Sequence, residues 1–201
     1  MSFNHSNTIN EKINAFIRKH YKRDLYHGLI VSLSGGVSLL TIFAVAEYFI
    51  RFSSSTRLFL LLSFSAILGL FVTKLVAVPV LKLSGILKPI SPENAARTIG
   101  NYFPEISDQL LNILQLEKQN SKNDLVLASI EQKSNKIQLF EFTEAISFKN
   151  LTKVSKWALI PLLIVLIISG FNSEILTSGS KRIVNFNQEF KPENPFQFKL
   201  Q

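Results

Sequence analysis

Three stretches of this chain are nearly free of charge and long enough to cross a lipid bilayer, and no other feature restricts the fold as much. Residues 25–50 hold no charged side chain before Glu47. Residues 58–81 hold only Lys74, and residues 157–173 hold none. A helix rises about 1.5 Å per residue, so a hydrocarbon core of about 30 Å takes roughly 20 residues. Lipid supplies no hydrogen bonds, so each stretch must satisfy its own backbone and is expected to be helical. The expected fold class is an all-α membrane protein with transmembrane helices at 25–50, 58–81 and 154–176. The uncharged centre of the third is short, which bilayer thinning or burial against the first two accommodates. Pro161 predicts a kink within it.

Composition excludes the competing classes. The mean hydropathy is +0.23, and 18% of the 201 residues are charged, against about 25% in soluble domains. A disordered chain and an ordinary soluble enzyme are both ruled out. The chain has no cysteine, which removes disulfides, thiolate nucleophiles and thiolate metal sites and leaves the redox compartment open.

The flanks set the expected orientation. The formal net charge is +8, and the excess gathers beside the spans, which favours topology control over nucleic-acid binding. Lys12, Arg18, Lys19, Lys22 and Arg23 precede the first span; Lys82, Lys88, Lys149, Lys153 and Lys156 flank the segment between the second and third. The hairpin turn has only Arg51 and Arg57. Basic flanks stay inside, so the N-terminus and residues 82–153 are expected in the cytoplasm, and the hairpin turn and C-terminal tail outside. Ala44-Val45-Ala46 has the small-x-small form of a signal-peptide cleavage site, but the apolar run is too long for a signal peptide, so an uncleaved anchor is expected.

Residues 1–24 read as an amphipathic helix. Thr8-Ile9-Asn10-Glu11 forms a capping box, and Ile9, Ile13, Phe16, Ile17 and then His20 or Tyr21 follow at helical spacing. The stripe fits either an anionic leaflet or the protein's own helical domain. Residues 82–153 read as a small helical domain of about 70 residues, near the lower limit for a self-sufficient core. Ser91-Pro92-Glu93 starts one helix, with Gly100 as its expected stop. A second helix is capped near Ser107, and a third carries Leu125, Leu127, Ile130, Ile137 and Leu139. Phe140, Phe142, Ile146 and Phe148 form an aromatic tail expected to cover the helices. Residues 177–201 change to period-two alternation, at 182–186 and 195–200. These read as strands that begin a β-rich extracytoplasmic region and predict that a longer protein continues beyond residue 201.

No catalytic constellation emerges, and the expected catalytic, cofactor and metal residues are none. His5, His20 and His27 lack the further ligands zinc needs. Ser34-Gly35-Gly36 lies in an apolar run without the lysine of a phosphate loop. Glu141 and Glu144 read as a solvated face. Lys74 reads as a lysine snorkelling to the headgroups, its functional alternative being an ion pathway. The informative pattern is steric. Gly28, Ser32 and Gly36 recur every fourth residue in the first span, and Ser65, Gly69 and Thr73 do so in the second. Small residues at that spacing let helix backbones approach closely, so the two stripes are expected either to join the hairpin helices or to dock a separate membrane subunit.

Three segments carry a family resemblance: Asn94-Ala95-Ala96-Arg97-Thr98-Ile99-Gly100 with Phe103-Pro104-Glu105-Ile106 and Leu110-Leu111-Asn112; Leu127-Ala128-Ser129-Ile130-Glu131-Gln132-Lys133; and Arg182-Ile183-Val184-Asn185 with Pro195-Phe196-Gln197-Phe198. Together with the span layout they resemble the N-terminal part of the bacterial family called domain of unknown function 4175, large multi-pass membrane proteins. The resemblance implies a longer protein whose bulk lies outside the cytoplasmic membrane, and it supplies no activity, cofactor or catalytic residue. The expected function is a non-enzymatic inner-membrane anchor or scaffold within a larger envelope protein, its partners the bilayer and other membrane or envelope proteins, with no nucleic acid. The alternative is a transport or signal-coupling subunit in which Lys74 and Glu47 matter and residues 82–153 contact a cytoplasmic ATPase or regulator.

Overall fold

The computed structural model describes residues 2–118, 134 and 136–188. Among these residues every regular element is helical. In chain order they are α1 (Ser2–Ile50), α2 (Ser54–Phe71), a π-helical turn (Val72–Ala77), α3 (Val78–Leu83), α4 (Pro92–Tyr102), α5 (Ser107–Lys118) and α6 (Lys149–Val184), with 3-10 turns at Pro104–Ile106 and Phe142–Ala145. The helices that carry the three apolar runs are long and apolar enough to cross a membrane. Contacts divide the chain into two compact units, Met1–Leu29 with Thr73–Lys153, and Ile30–Val72 with Val154–Gln201.

The first unit is built like a small soluble domain, with its apolar side chains inside. Ile9, Ile13, Phe16, Ile17 and Tyr21 of α1 are buried in one cluster with Ala95, Ala96 and Ile99 of α4, Leu110, Ile113 and Leu114 of α5, and Ile137, Phe142 and Ile146. Burial of each large apolar side chain is worth about 1.5–3 kcal/mol, so the α1 stripe supplies much of a core that 82–153 alone would lack. Of the two placements open to this stripe, the structure uses packing within the protein. The aromatic tail covers the helices as expected: Phe142 is buried, and Phe140 and Phe148 pack against the cluster.

The start of α4 follows its sequence signature. Ser91 stands in extended conformation and its Oγ accepts from the Asn94 N–H at 3.3 Å, with Pro92 and Glu93 in the first turn. The expected stop at Gly100 is corrected. The helix continues to Tyr102, and Gly100 is buried where a Cβ would come within 2.8 Å of the Ser107 Cβ. The glycine serves a close crossing of α4 and α5. The third helix expected in this domain lies largely outside the described residues, which include only its end. There Ile137 is buried and Leu139 is 82% exposed.

The second unit reverses the burial pattern. Leu33, Phe59, Leu62, Leu166 and Phe171 are exposed, whereas Glu47 and Arg57 are buried. Water would penalise that apolar surface at about 25 cal/mol per Å²; a bilayer does not. In α6, Pro161 lies inside the helix, but the break is at Asn172, with φ −159° and ψ 101°. The Asn172 Oδ1 accepts from the Glu174 N–H at 2.9 Å, which caps the helix that restarts there. The uncharged run thus ends where the helix breaks.

The expected strand at 182–186 is corrected. Arg182, Ile183 and Val184 complete α6, and Asn185 and Phe186 form a turn. Ile183 is buried, so a helix face accounts for the apolar residue that alternation assigned to a strand. The second expected strand, 195–200, lies outside the described residues.

Candidate functional site

The polar and steric features of this chain gather where its helices touch. Proline at position 79 has no N–H to donate to the carbonyl of Leu75, and its ring crowds that carbonyl. The helix widens into the π turn at Val72–Ala77 directly before it. The freed Leu75 carbonyl faces α1 at Gly28, where an added Cβ would overlap the oxygen. Glycine is the residue that admits such an approach, and its Cα–H can point at the carbonyl. Tyr21 and Lys82 lie along the same unit, with the ammonium 5.3 Å from the ring centre. The Tyr21 hydroxyl accepts from the Ile90 N–H at 2.9 Å.

Within the second unit, Gly36 faces Leu68 and Gly35 faces Phe71, each with 3.1 Å between an added Cβ and the nearest side-chain carbon. Ser32 is buried, and its Oγ has no hydrogen-bond partner among the described residues. The structure therefore brings the stripe Gly28, Ser32 and Gly36 inward on α1. It does not bring Ser65, Gly69 and Thr73 to meet it. Ser65 and Thr73 are exposed, the Ser65 hydroxyl turns back to the Leu61 carbonyl at 2.9 Å, and nothing lies within 4 Å of a Cβ on Gly69. The opposing face is Leu68, Phe71 and Leu75. Small residues on one helix suffice when large ones fill the groove opposite.

A third seam joins α6 to α1 at Gly179, where an added Cβ would overlap the carbonyl of Ala44. Ala44 is completely buried, and α1 runs unbroken through Ala44-Val45-Ala46.

One turn beyond Ala44 stands the most telling group of polar side chains. Glu47 is fully buried, and its Oε1 accepts from the Arg57 Nε at 2.8 Å. Its Oε2 accepts from the Phe52 N–H at 3.2 Å. The Arg57 Nη1 donates to the carbonyl of Gln188 at 3.2 Å, and the Ser54 hydroxyl donates to the carbonyl of Phe186. Between the two, Arg51 takes a left-handed conformation (φ 53°) that closes the turn. The pair thus holds the end of α1, the start of α2 and the chain leaving α6. A buried ion pair is tolerable only when the remaining lone pairs and protons find partners, and here backbone groups supply them. From the sequence alone Arg51 and Arg57 read as turn charges, and Glu47 as a far-side carboxylate that matters only in a transport subunit. The ten-residue separation of Glu47 and Arg57 across a hairpin turn was the signal that could have paired them.

Lysines of the N-terminal segment are similarly committed. The Lys12 ammonium donates to the carbonyls of Gln138 (2.7 Å) and Phe140 (3.2 Å) and pairs with Glu141 at 2.9 Å. Lys19 donates to the Thr143 carbonyl at 2.8 Å. Both cap a chain reversal within the first unit.

His20 is stacked on Phe16, with its Nδ1 3.3 Å from Arg23 Nη2 and its Nε2 3.4 Å from Asp24 Oδ2. A neutral ring protonated on Nε2 satisfies both neighbours. Burial pushes its pKa below the ordinary 6.5; Asp24 opposes that shift, and Arg23 and Lys82 reinforce it. His27 is exposed, and the His5 side chain lies outside the described residues. Among the described residues no three His, Asp or Glu side chains are grouped to hold a metal ion. Lys74 is exposed on the π turn.

No protein-family model, curated protein or solved structure matches this chain.

Proposed function

We propose that this chain is a non-enzymatic anchor that holds and orients a larger envelope protein in a bacterial inner membrane. In this reading the N-terminus and residues 82–153 lie in the cytoplasm, and the hairpin turn and the tail beyond α6 lie outside. The observation that carries it is the Glu47–Arg57 pair. Charges near a membrane are expensive and usually functional, and here both are spent on fastening three helix ends together and gripping the Phe186 and Gln188 carbonyls. The chain that follows is thereby given a fixed starting point, as an anchor requires. Basic flanks support the orientation.

One observation favours a transport or signal-coupling subunit instead. Lys74 stands exposed on a π turn inside an apolar helix, and such turns are frequent at functional sites. Lys74→Leu separates the two. An anchor tolerates it, and the variant should complement a deletion strain as well as the natural chain does. Loss of complementation with undiminished membrane insertion would replace the anchor reading with the coupled one.

A further inference from the structure

Helix α6 changes character at Asn172, where its backbone leaves the helical region. From Leu159 to Phe171 every large exposed side chain is apolar, and Phe171 itself is 88% exposed. Beyond the break the exposed side chains of α6 are Ser173, Glu174, Thr177, Lys181 and Val184, of which Val184 alone is apolar. Glu174, Thr177 and Lys181 are three and four residues apart and share one face. Gly179 and Ile183 are buried on the opposite face, with Ile175 and Leu176 half-buried beside them. The helix that restarts after Asn172 is therefore amphipathic. Its apolar face is docked on α1, where Gly179 meets the Ala44 carbonyl, and its polar face looks away.

The direction of this second helix follows from the helical rise. Val37 of α1 and Leu162 of α6 line the same groove. A further rise of roughly 15 Å brings α1 to Glu47 and α6 to Asn172. Continued along α1, the chain would carry Gly179 roughly 10 Å past the level of Glu47. Instead Gly179 abuts Ala44, which lies roughly 5 Å before Glu47. Residues 173–184 thus run across α1 rather than along it.

Two surroundings fail to suit such a helix. Hydrocarbon would leave Glu174 and Lys181 turned towards acyl chains, which is costly. Water alone would strand the Phe171 ring. The headgroup layer accepts both, since an amphipathic helix can lie within it while neighbouring aromatic side chains reach the acyl boundary.

We propose that residues 173–184 form an in-plane helix seated in the lipid headgroup layer, with Phe171 among the acyl chains and Glu174, Thr177 and Lys181 facing headgroups and water. The proposal rests on the membrane reading of the three helices. A helix so placed acts as a stop for α6. Sinking would drive its charged face into hydrocarbon, and rising would pull Phe171 into water.

The test uses the full chain, which has no cysteine of its own, reconstituted in liposomes of phosphatidylethanolamine and phosphatidylglycerol. Nitroxide labels are placed one at a time on Leu159→Cys, Leu163→Cys, Leu166→Cys, Glu174→Cys, Thr177→Cys and Lys181→Cys. Collision with oxygen and with a water-soluble nickel complex reports the depth of each label. We expect the labels at 159, 163 and 166 to collide chiefly with oxygen, and those at 174, 177 and 181 to share one shallow depth at the headgroups. A helix that continued upright would separate the labels at 174 and 181 by roughly 10 Å in depth, and that trend would overturn the proposal. Oxygen-dominated collisions at all three positions would overturn it too, as would nickel collisions equal to those of a label free in water. Labels at 159, 163 and 166 separate this failure from the larger one: if they stay in hydrocarbon, the in-plane helix alone is lost, and if they lie in water, the membrane reading falls with it.

Discussion

Arg57 is buried, with its Nε on the Glu47 carboxylate and its Nη1 on the Gln188 carbonyl. Replacement by alanine leaves Glu47 buried without its counter-ion, the costly way to break such a pair. We expect Arg57→Ala to lower resistance to SDS unfolding by about 3–5 kcal/mol. Glu47→Leu combined with Arg57→Leu should recover much of that loss, because the uncompensated charge is gone; a double variant no better than the single one would mean that the two residues act independently. His20 behaves differently because it titrates. Its folded-state pKa lies below the ordinary 6.5, so between the two values the unfolded chain binds a proton that the folded chain does not. Stability is therefore complete above 6.5 and declines as pH falls through that value, levelling off below the folded pKa. Hydrogen exchange in residues 9–21 should accelerate relative to its intrinsic rate on acidification to pH 5.5, and His20→Gln should remove that part of the response.

At the level of elements, the seams make glycines unequal. A methyl group on Gly28 or Gly179 would overlap a carbonyl oxygen, and backbone cannot yield cheaply. Gly36 faces the end of the Leu68 side chain, which can turn aside, and Gly69 faces open space. Gly28→Ala and Gly179→Ala should loosen their seams, read as loss of engineered cross-links between α1 and its neighbours. Gly69→Ala should leave every cross-link unchanged, and Gly36→Ala should have a small effect. Equal effects at all four positions would contradict these seams. Spacing reveals that the small residues of α1, and those of α2, share a face without revealing where either face points. Lipid accepts a small residue as readily as a helix does, so the period carries no direction. The expected strand at 182–186 failed for a related reason. Five alternating residues are too few to separate period two from one side of a helical turn, and docking of Ile183 and Gly179 decided the outcome.

For the whole molecule, the same apolar residue types serve opposite purposes. In the first unit Ile9, Phe16 and Leu110 are buried; in the second Leu62, Leu166 and Phe171 face outward. This division was readable in the sequence, since one set recurs on a single helix face among charged residues and the other fills uninterrupted runs. The buried ion pair left only a faint trace in the sequence, two opposite charges ten residues apart across a hairpin turn, because Glu47 and Arg57 meet once that turn folds. The absence of cysteine makes the topology directly accessible. Single cysteines at Ser55, Asn101 and Thr177, all exposed, can be labelled with a membrane-impermeant maleimide in intact spheroplasts and again after permeabilisation. Three crossings predict that Ser55→Cys and Thr177→Cys react in intact spheroplasts while Asn101→Cys reacts only once the membrane is opened. Reaction of all three from the same side would contradict the crossings and the anchor built on them.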